Sequence, residues 1–254
     1  MDSSLYSGRS VFCGEFTPDD NGVTVHAAYS AAGGVPMSGF RQRMREWLAF
    51  RVAMLARAGQ EAADGRTLPR FANAPRNLHI ESPRRIINAG CISLGDDVSL
   101  GPGCMLNALR RYPGPFMSGA PEVEQQTFEP SITLGNRVSA TGYLTIGAVK
   151  SVSIEDDALL ASHIFISDNL HGMSRVDLPY KYQPLDRIAP VVIGRGCWIG
   201  DHVVVLPGVT IGEMCVVGAG SVVTKSLPPR TVAVGSPARV IKQWSDDKGG
   251  WVDA

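Results

Sequence analysis

One loop of this chain carries the side chain best suited to acid–base chemistry. The segment SDNLHG, residues 167–172, follows an apolar run that ends at Ile166. An unperturbed imidazole titrates near pH 6.5, so its neutral form can take a proton from a hydroxyl and later return it to a leaving group. A single loop histidine is more often an ordinary surface residue. His171 is nevertheless the leading candidate for a general base.

The element that must position this loop is a six-residue repeat. An aliphatic residue recurs every six positions, often followed by glycine, at Ile193, Ile199, Val205, Ile211, Val217 and Val223. This period is neither helical nor alternating, and it is typical of a parallel β-helix, in which each flat side of a coil points similar residues inward. The same phase runs through 94–106, 134–146 and, after a two-residue slip, 154–166. The repeats predict an all-β fold with about five triangular coils.

The slip and two interruptions mark where the chain leaves the regular coil. Lys150 falls at a position that would point inward without the slip, and an unpaired buried ammonium costs several kcal/mol, so a corner bulge is expected to turn it outward. Residues 107–131 and 168–192 lack the repeat and are predicted to form loops. Long excursions from a rigid scaffold are commonly functional. The aromatic residues of the first loop can shape a pocket or simply anchor the loop: Tyr112, Phe116 and Phe128.

The chain divides into a β-helix and two flanks. Residues 1–80 form an N-terminal flank with an amphipathic helix near 41–58, where apolar residues recur at three- and four-residue spacing. Such a helix usually covers a core, although its basic side could also rest on an acidic lipid surface or a charged glycan. The β-helix is expected over 81–227. Residues 228–254 are predicted to cap the last coil with a short helix after Pro237.

Composition excludes several classes of function. Lys plus Arg and Asp plus Glu both number 24, and this balance gives no reason to expect nucleic-acid binding. No signal peptide and no run of eighteen apolar residues is evident, so we expect a cytoplasmic protein without an integral membrane segment. No CxxC pair or histidine cluster suggests a metal site. Three cysteines occupy small inward positions of the repeat, as compact hydrophobes would: Cys104, Cys197 and Cys215.

A second group of residues suggests a binding groove. Trp198 lies at an outward position, where an indole would anchor either a ligand or another subunit. The small residues 218–220 allow close approach of a thin chain such as a pantetheine arm. Thr224 follows these small residues, and the nearby cations Lys225, Arg239 and Lys242 could meet the phosphates of the arm. Each of these signals is weak alone.

Residues 132–243 resemble the hexapeptide-repeat acyltransferases. The string APVVIGRGCWIGDHVVVLPGVTIGEMCVVGAGSVVTKSLPP, followed by AVGSPARVIK, is similar to galactoside and maltose O-acetyltransferases and to O-acetyltransferases of bacterial surface polysaccharides. The resemblance implies left-handed coils, a homotrimer with active sites between subunits, and acetyl-CoA as the donor. It places His171 on the family's base and Trp198 on a tryptophan of the acetyl-CoA groove. It also implies donor contacts at Ala219, Thr224, Lys225 and Arg239.

Two departures concern the acceptor. Polysaccharide enzymes of this group often read SDHNHG where this chain has Ser167 to Gly172 with a single histidine. The sugar acetyltransferases carry Asn or Asp where this chain has Tyr143. We therefore expect Tyr143, Asp168 and Asn169 to contact an acceptor that differs from theirs, while the reaction is retained.

The sequence thus predicts an acetyl-CoA-dependent O-acetyltransferase acting on a sugar or polysaccharide hydroxyl. Transfer directly from the thioester is expected, because no serine or cysteine is visibly paired with a base. Two alternatives stay open: an enzyme that acetylates an antibiotic or other xenobiotic hydroxyl, and an inactive β-helical scaffold. Peripheral association with the inner membrane surface also stays open.

Overall fold

The computed structural model describes residues 37–113 and 125–254. Residues 1–36 of the predicted N-terminal flank lie outside the described residues, and so do residues 114–124 of the first loop, which include Phe116. The chain divides into two compact units, Met1–Arg51 and Val52–Ala254. The described α-helix runs from Met37 to Arg66, so it is longer at both ends than the predicted 41–58.

The repeats form three parallel sheets, which are the faces of a β-helix. The first face begins before residue 81, because its first strand lies at the end of the predicted flank and pairs with Ser99–Leu100. Its seven parallel strands are His79–Ile80, Ser99–Leu100, Ser139–Gly142, Leu159–Ser162, Trp198–Ile199, Val216–Val217 and Thr231–Val234.

The other two faces complete each coil. The second face contains Arg85–Ile87, Met105–Ala108, Thr145–Ala148, Phe165–Ser167, Val204–Val205 and Val222–Val223. The third face contains Ile92–Leu94, Ser131–Leu134, Ser151–Ile154, Val191–Ile193 and Thr210–Ile211, and an isolated bridge from Ile211 to Leu227 extends it. Adjacent coils pair in register, so equivalent residues stack directly: Ile146 lies between Leu106 and Ile166.

The core is a continuous column of these stacked aliphatic residues. Leu160, Ile146 and Ile154, one from each face, are fully buried. Burying such a side chain contributes about 1.5–3 kcal/mol. Cys104, Cys197 and Cys215 are also buried in this column, which confirms their predicted inward positions. The column therefore gives the stack its stability.

The β-helix is longer than predicted. Its second face has six strands, one more than the five coils expected. The additional N-terminal positions, Ile80 and Ile86, keep the six-residue spacing but lack the following glycine that marks many other hexads. At the other end Ala233 continues the core beyond the Pro228-Pro229 pair.

The predicted C-terminal helix is wrong, because Arg239–Ser245 and Gly250–Asp253 are strands. The first pairs antiparallel with Thr231–Val234 on the first face, and the second pairs with the first. The open edge of the last coil offers unpaired backbone groups, and pairing with them outweighs the local helix preference of this short segment. A β-hairpin thus continues the first face.

The predicted N-terminal helix is present, and the apolar side chains described along it are exposed in the single chain. The described side chains that are exposed in the single chain include Met44, Trp47, Leu48, Phe50, Val52, Met54 and Leu55. The expectation that this face covers a core stays a prediction. The Cζ atom of Arg51 lies 5.7 Å from the centroid of the Trp47 ring, which is a cation–π contact.

Candidate active site

His171 lies on a short hairpin that leaves the end of the second face. The strand Leu170–His171 pairs antiparallel with Leu185–Asp186, and His171 is opposite Leu185. We call these two strands the second hairpin. The His171 side chain is exposed. The strand pairing thus presents the imidazole to solvent beside the stack.

Asp168 fixes the base of the second hairpin. Its carboxylate is fully buried and accepts hydrogen bonds from the backbone N–H of Val149 at 2.9 Å and of Lys150 at 2.7 Å. These two residues form the two-residue slip, and Lys150 is exposed there as predicted. Asn169 also donates to Asp168 at 2.9 Å. Asp168 therefore holds the slip and has no exposed oxygen with which to touch an acceptor.

A tyrosine from the other loop contacts His171 directly. The hydroxyl of Tyr112 lies 3.1 Å from His171 Nδ1, and the two rings meet edge to face with centroids 5.3 Å apart. The same hydroxyl donates to the carbonyl oxygen of Lys181. Tyr112 is buried, and burial raises the pKa of its phenol. The tyrosine is therefore a neutral group packed against the imidazole.

Tyr112 belongs to a hairpin in the first loop, and this hairpin is tied to the second. Its strands are Arg111–Tyr112 and Gln126–Thr127, which we call the first hairpin. The Gln126 amide accepts from the backbone N–H of Leu185 at 2.7 Å and donates to the Leu185 carbonyl at 3.1 Å. A small apolar cluster also joins the loops, formed by Tyr112, Val149 and Leu185 with Leu109, Phe128 and Ile188. Tyr112 and Phe128 thus anchor the first loop.

A buried glutamine shapes the end of the second loop. Gln183 is 1% exposed, and its amide donates to the carbonyls of Arg175 at 2.6 Å and Leu178 at 2.9 Å. It also accepts from the Arg175 backbone N–H at 3.1 Å. These bonds brace the turn that includes the 3-10 helix Tyr180–Tyr182. Lys181, whose carbonyl Tyr112 contacts, lies within this turn.

Tyr143 begins a column of stacked rings at the other end of the second face. Its ring stacks on His163 with centroids 4.5 Å apart, and His163 stacks on His202 at 4.7 Å. All three residues occupy the corner between the first and second faces with positive φ angles. The preceding corner holds Gly103, where a side chain would collide with the Tyr143 ring at 2.5 Å. This Gly103 therefore makes room for the outer ring.

The predicted donor contacts lie on the surface of the upper coils. Trp198 is 53% exposed on the first face, and Ala219 is exposed at the next corner one coil higher. Thr224 and Lys225 are exposed where the second face ends, and Arg239 is exposed at the start of the C-terminal hairpin. All five side chains are accessible, as binding residues must be.

One chain does not bring all candidate residues together. Tyr143 lies at the corner that precedes the second face, and Trp198 lies on the first face just before that corner. The loop that carries His171 starts at the corner that follows the second face. Thr224 and Lys225 lie at that second corner, two coils above the departure of the His171 loop. The candidate base and the predicted groove tryptophan thus lie on either side of the second face, His171 beyond its end and Trp198 on the first face before its start.

Several residues that support His171 carry little signal in the sequence. The sequence predicts that Asp168 contacts an acceptor, and it identifies Tyr112 only as an aromatic loop residue. Nothing in the sequence points to Gln126 or Gln183. Polar residues inside otherwise irregular, proline-containing loops are the only sequence signal they share. Their partners are up to 69 residues distant in the chain, as for Tyr112 and Lys181, so no local pattern reveals them.

Metal ligands do not cluster in the part of the chain that the structure describes. Across 37–113 and 125–254, no group of three or more His, Cys, Asp or Glu side chains is placed to hold a metal ion. Among the helical residues of those same ranges, no helix is both long and apolar enough to cross a membrane.

Comparison with known proteins defines the class. The bacterial transferase hexapeptide family, described by six repeats, matches residues 190–225. WbbJ of Escherichia coli (strain K12), provisionally named a lipopolysaccharide biosynthesis O-acetyl transferase, is 35% identical over 182 residues, which span 69% of this chain and 83% of that protein. Together with the coiled fold, these matches define a hexapeptide-repeat acyltransferase.

The particular family follows from the extent of the WbbJ match. The chain belongs to the hexapeptide-repeat O-acetyltransferases. Galactoside O-acetyltransferase of E. coli (strain K12) is 38% identical over 124 residues, which span 47% of this chain and 58% of that protein. AntD, an N-acyltransferase from Bacillus cereus in complex with dTDP and 3-hydroxybutyryl-CoA, matches with a TM-score of 0.55 and 23% identity, covering 70% of this chain and 86% of AntD. That likeness supports the fold, and the repeat fits the predicted left-handed β-helix.

Proposed function

We propose that this chain transfers an acetyl group from acetyl-CoA to a hydroxyl of a sugar or surface polysaccharide. The observation that carries the proposal is the exposed imidazole of His171, braced on its Nδ1 side by Tyr112. The relatives of this chain include a galactoside O-acetyltransferase and an O-acetyl transferase named for lipopolysaccharide biosynthesis. The same chemistry on a related acceptor is the most economical assignment.

His171 acts as the general base through Nε2. It removes the proton of the acceptor hydroxyl as that oxygen attacks the thioester carbonyl, and a backbone N–H stabilises the developing oxyanion. The carbon–sulfur bond then breaks, and the imidazolium returns the proton to the CoA thiolate. Transfer is direct: Cys104, Cys197 and Cys215 are buried within the stack, and the partly buried Cys91 accepts a hydrogen bond from Arg110 rather than from a base. Burial also raises the pKa of the Cys104 thiol.

The donor lies along the exposed residues of the upper coils. Trp198 packs against the pantetheine arm, and Ala219 permits its close approach to the backbone. Thr224 and Lys225 meet the phosphates, and Arg239 meets the nucleotide end. AntD is described in complex with an acyl-CoA, which supports a CoA donor on this fold.

The complete site is shared between subunits of a homotrimer. One chain places His171 beyond the end of the second face and Trp198 on the first face, before the opposite corner, so a second copy must supply the missing side of the groove. The acceptor is held by Tyr143 and Asn169, while Asp168 acts by fixing the loop. The exposed Tyr143 ring, at the end of the column that it forms with His163 and His202, offers an apolar contact for a sugar ring.

An acceptor screen tests the assignment. The full chain is incubated with acetyl-CoA and a panel of hydroxylated sugars, oligosaccharides, amino sugars and hydroxylated antibiotics, and products are identified by mass. We expect an added acetyl group on a sugar oxygen with wild-type protein and far less product with His171→Ala. Acetylation confined to antibiotics supports the xenobiotic alternative instead. Failure to bind acetyl-CoA by calorimetry supports the inactive scaffold and overturns the proposal.

Location is a separate prediction. A cytoplasmic enzyme would meet acetyl-CoA directly, and association with the inner membrane surface would bring it to a lipid-linked acceptor. Cell fractionation distinguishes a protein in the supernatant from one in the membrane pellet.

A further inference from the structure

We infer that Tyr112 is a positioning residue that fixes the tautomer of His171, an inference that rests on the proposed role of His171 as base. The Tyr112 hydroxyl has two partners. One is the Lys181 carbonyl and the other is His171 Nδ1, at 3.1 Å. A phenol has one proton to donate, so the chemistry of these partners decides where that proton lies.

The carbonyl must accept. A carbonyl oxygen carries no proton, so the Tyr112 hydroxyl donates to Lys181. The remaining lone pairs of the phenol oxygen face the imidazole, and they can only accept from Nδ1–H. Neutral His171 therefore carries its proton on Nδ1 and keeps a free lone pair on Nε2. The latter is the atom that must remove the acceptor proton.

Burial keeps this arrangement in one state. Tyr112 is 7% exposed, and burial raises the pKa of its phenol, so the hydroxyl stays protonated. The ring is held edge to face against His171, with a 68° angle between the planes. The Lys181 carbonyl is held in turn by the loop segment that Gln183 braces. Reversing the direction of these hydrogen bonds would leave the carbonyl without its donor.

The hydrogen bond also serves the protonated intermediate. When Nε2 takes the acceptor proton, the Nδ1–H bond to Tyr112 becomes a bond from a cation, and such bonds are stronger than neutral ones. The Tyr112 proton stays on its own oxygen throughout. Only the Nε2 proton moves, first from the acceptor hydroxyl and then to the CoA sulfur.

A spectroscopic measurement tests the tautomer without reference to turnover. The full chain is labelled with ¹⁵N-histidine, and the His171 signals are assigned by their loss in His171→Gln. At alkaline pH we expect wild-type His171 to show a protonated Nδ1 and an unprotonated Nε2, and Tyr112→Phe to show a mixture of both tautomers. A protonated Nε2 in wild type overturns the inference, whether or not the variant folds.

Kinetics give an independent measurement. We expect Tyr112→Phe to lower kcat about 10- to 100-fold, the worth of one hydrogen bond to a group that becomes charged, with little change in the KM for acetyl-CoA. Tyr180→Phe is the matched control, because Tyr180 is in the second loop and 55% exposed. It should keep wild-type kcat and tautomer.

The two hypotheses fail separately. A normal rate in His171→Ala overturns the general base, whatever the tautomer. A large loss in His171→Ala combined with unchanged kcat and tautomer in Tyr112→Phe overturns only the role of Tyr112.

Discussion

The stack and the loops of this protein are stabilised in different ways. In the stack, each coil places an aliphatic side chain over its equivalent in the next, as Leu160 lies between Ala140 and Ile199. In the loops, individual polar side chains such as Asp168 and Gln183 hold each connection. The stack spreads its stability over many similar contacts, whereas the loops depend on a few unlike ones.

This difference separates stability from chemistry. A repeated apolar core tolerates variation as long as each position stays aliphatic and of similar size. The orientation of His171 depends instead on Tyr112, Asp168 and Gln126. Substitutions in the stack should therefore lower the free energy of unfolding. Substitutions in the loops should lower turnover, with a large loss of stability only where a loop joins the stack, as at Asp168.

The largest effect on stability is expected in the column. Leu160→Ala removes a fully buried side chain and should lower the free energy of unfolding by about 2–5 kcal/mol in denaturant titrations. Leu159→Ala, on the same strand but 48% exposed, is the control and should change it by less than about 1 kcal/mol. Equal losses in both variants would contradict the assignment of inward and outward positions.

Asp168 tests the junction between the two regions. Asp168→Ala leaves the backbone N–H groups of Val149 and Lys150 without their acceptor, and we expect a loss of about 3 kcal/mol together with reduced turnover. Asp177→Ala serves as the control, because this exposed carboxylate pairs with Arg175 at the surface. A stable, fully active Asp168→Ala protein would show that the slip forms without these hydrogen bonds.

Gln126 tests the link between the hairpins. Gln126→Ala removes both hydrogen bonds to the Leu185 backbone, so the Leu185 amide should exchange with solvent about tenfold faster, while global stability falls by only about 1 kcal/mol. Gln243→Ala, an exposed site on the C-terminal hairpin, should leave that amide unchanged. Unchanged exchange in Gln126→Ala would mean that the apolar cluster alone joins the loops.

The smallest effect belongs to a surface pair of the stack. A hydrogen bond from the Arg137 side chain lowers the pKa of Asp157, so this carboxylate stabilises the fold above its unfolded pKa of about 4 and loses that contribution as the pH falls through its lower folded value. Arg137→Gln should be slightly less stable than wild type at pH 7, and the difference should vanish in acid, once the pH lies below the lowered folded pKa of Asp157. Denaturant titrations at both pH values measure it. A difference that persists in acid would assign the effect to packing instead.

The repeat explains why much of the stack can be predicted. Aliphatic residues six apart identify the strands and the inward cysteines without knowledge of distant contacts. The pattern does not predict the first coil, because Ile80 and Ile86 lack the glycine that follows the aliphatic residue in many other hexads. The C-terminal hairpin escapes it because its partner is an open sheet edge, which overrides the preference of the segment for a helix.

The site can be predicted only in part. Residue type and loop position point to His171, and family resemblance points to the donor contacts. The tyrosine that orients the imidazole comes from a loop 59 residues away, as the pairing of Tyr112 with His171 shows. Such contacts form only when the coils stack one loop beside the next, so neither spacing nor composition indicates them.

Catalysis by this protein is expected to depend on one imidazole carried by a hairpin on an unreactive stack. Its most direct test is the turnover of His171→Ala, measured as CoA release with the acceptor found in the screen and compared with its thermal unfolding. We expect kcat to fall about 10²- to 10⁴-fold while the unfolding temperature stays within a few degrees of wild type. A folded His171→Ala protein that turns over at nearly the wild-type rate would contradict the account.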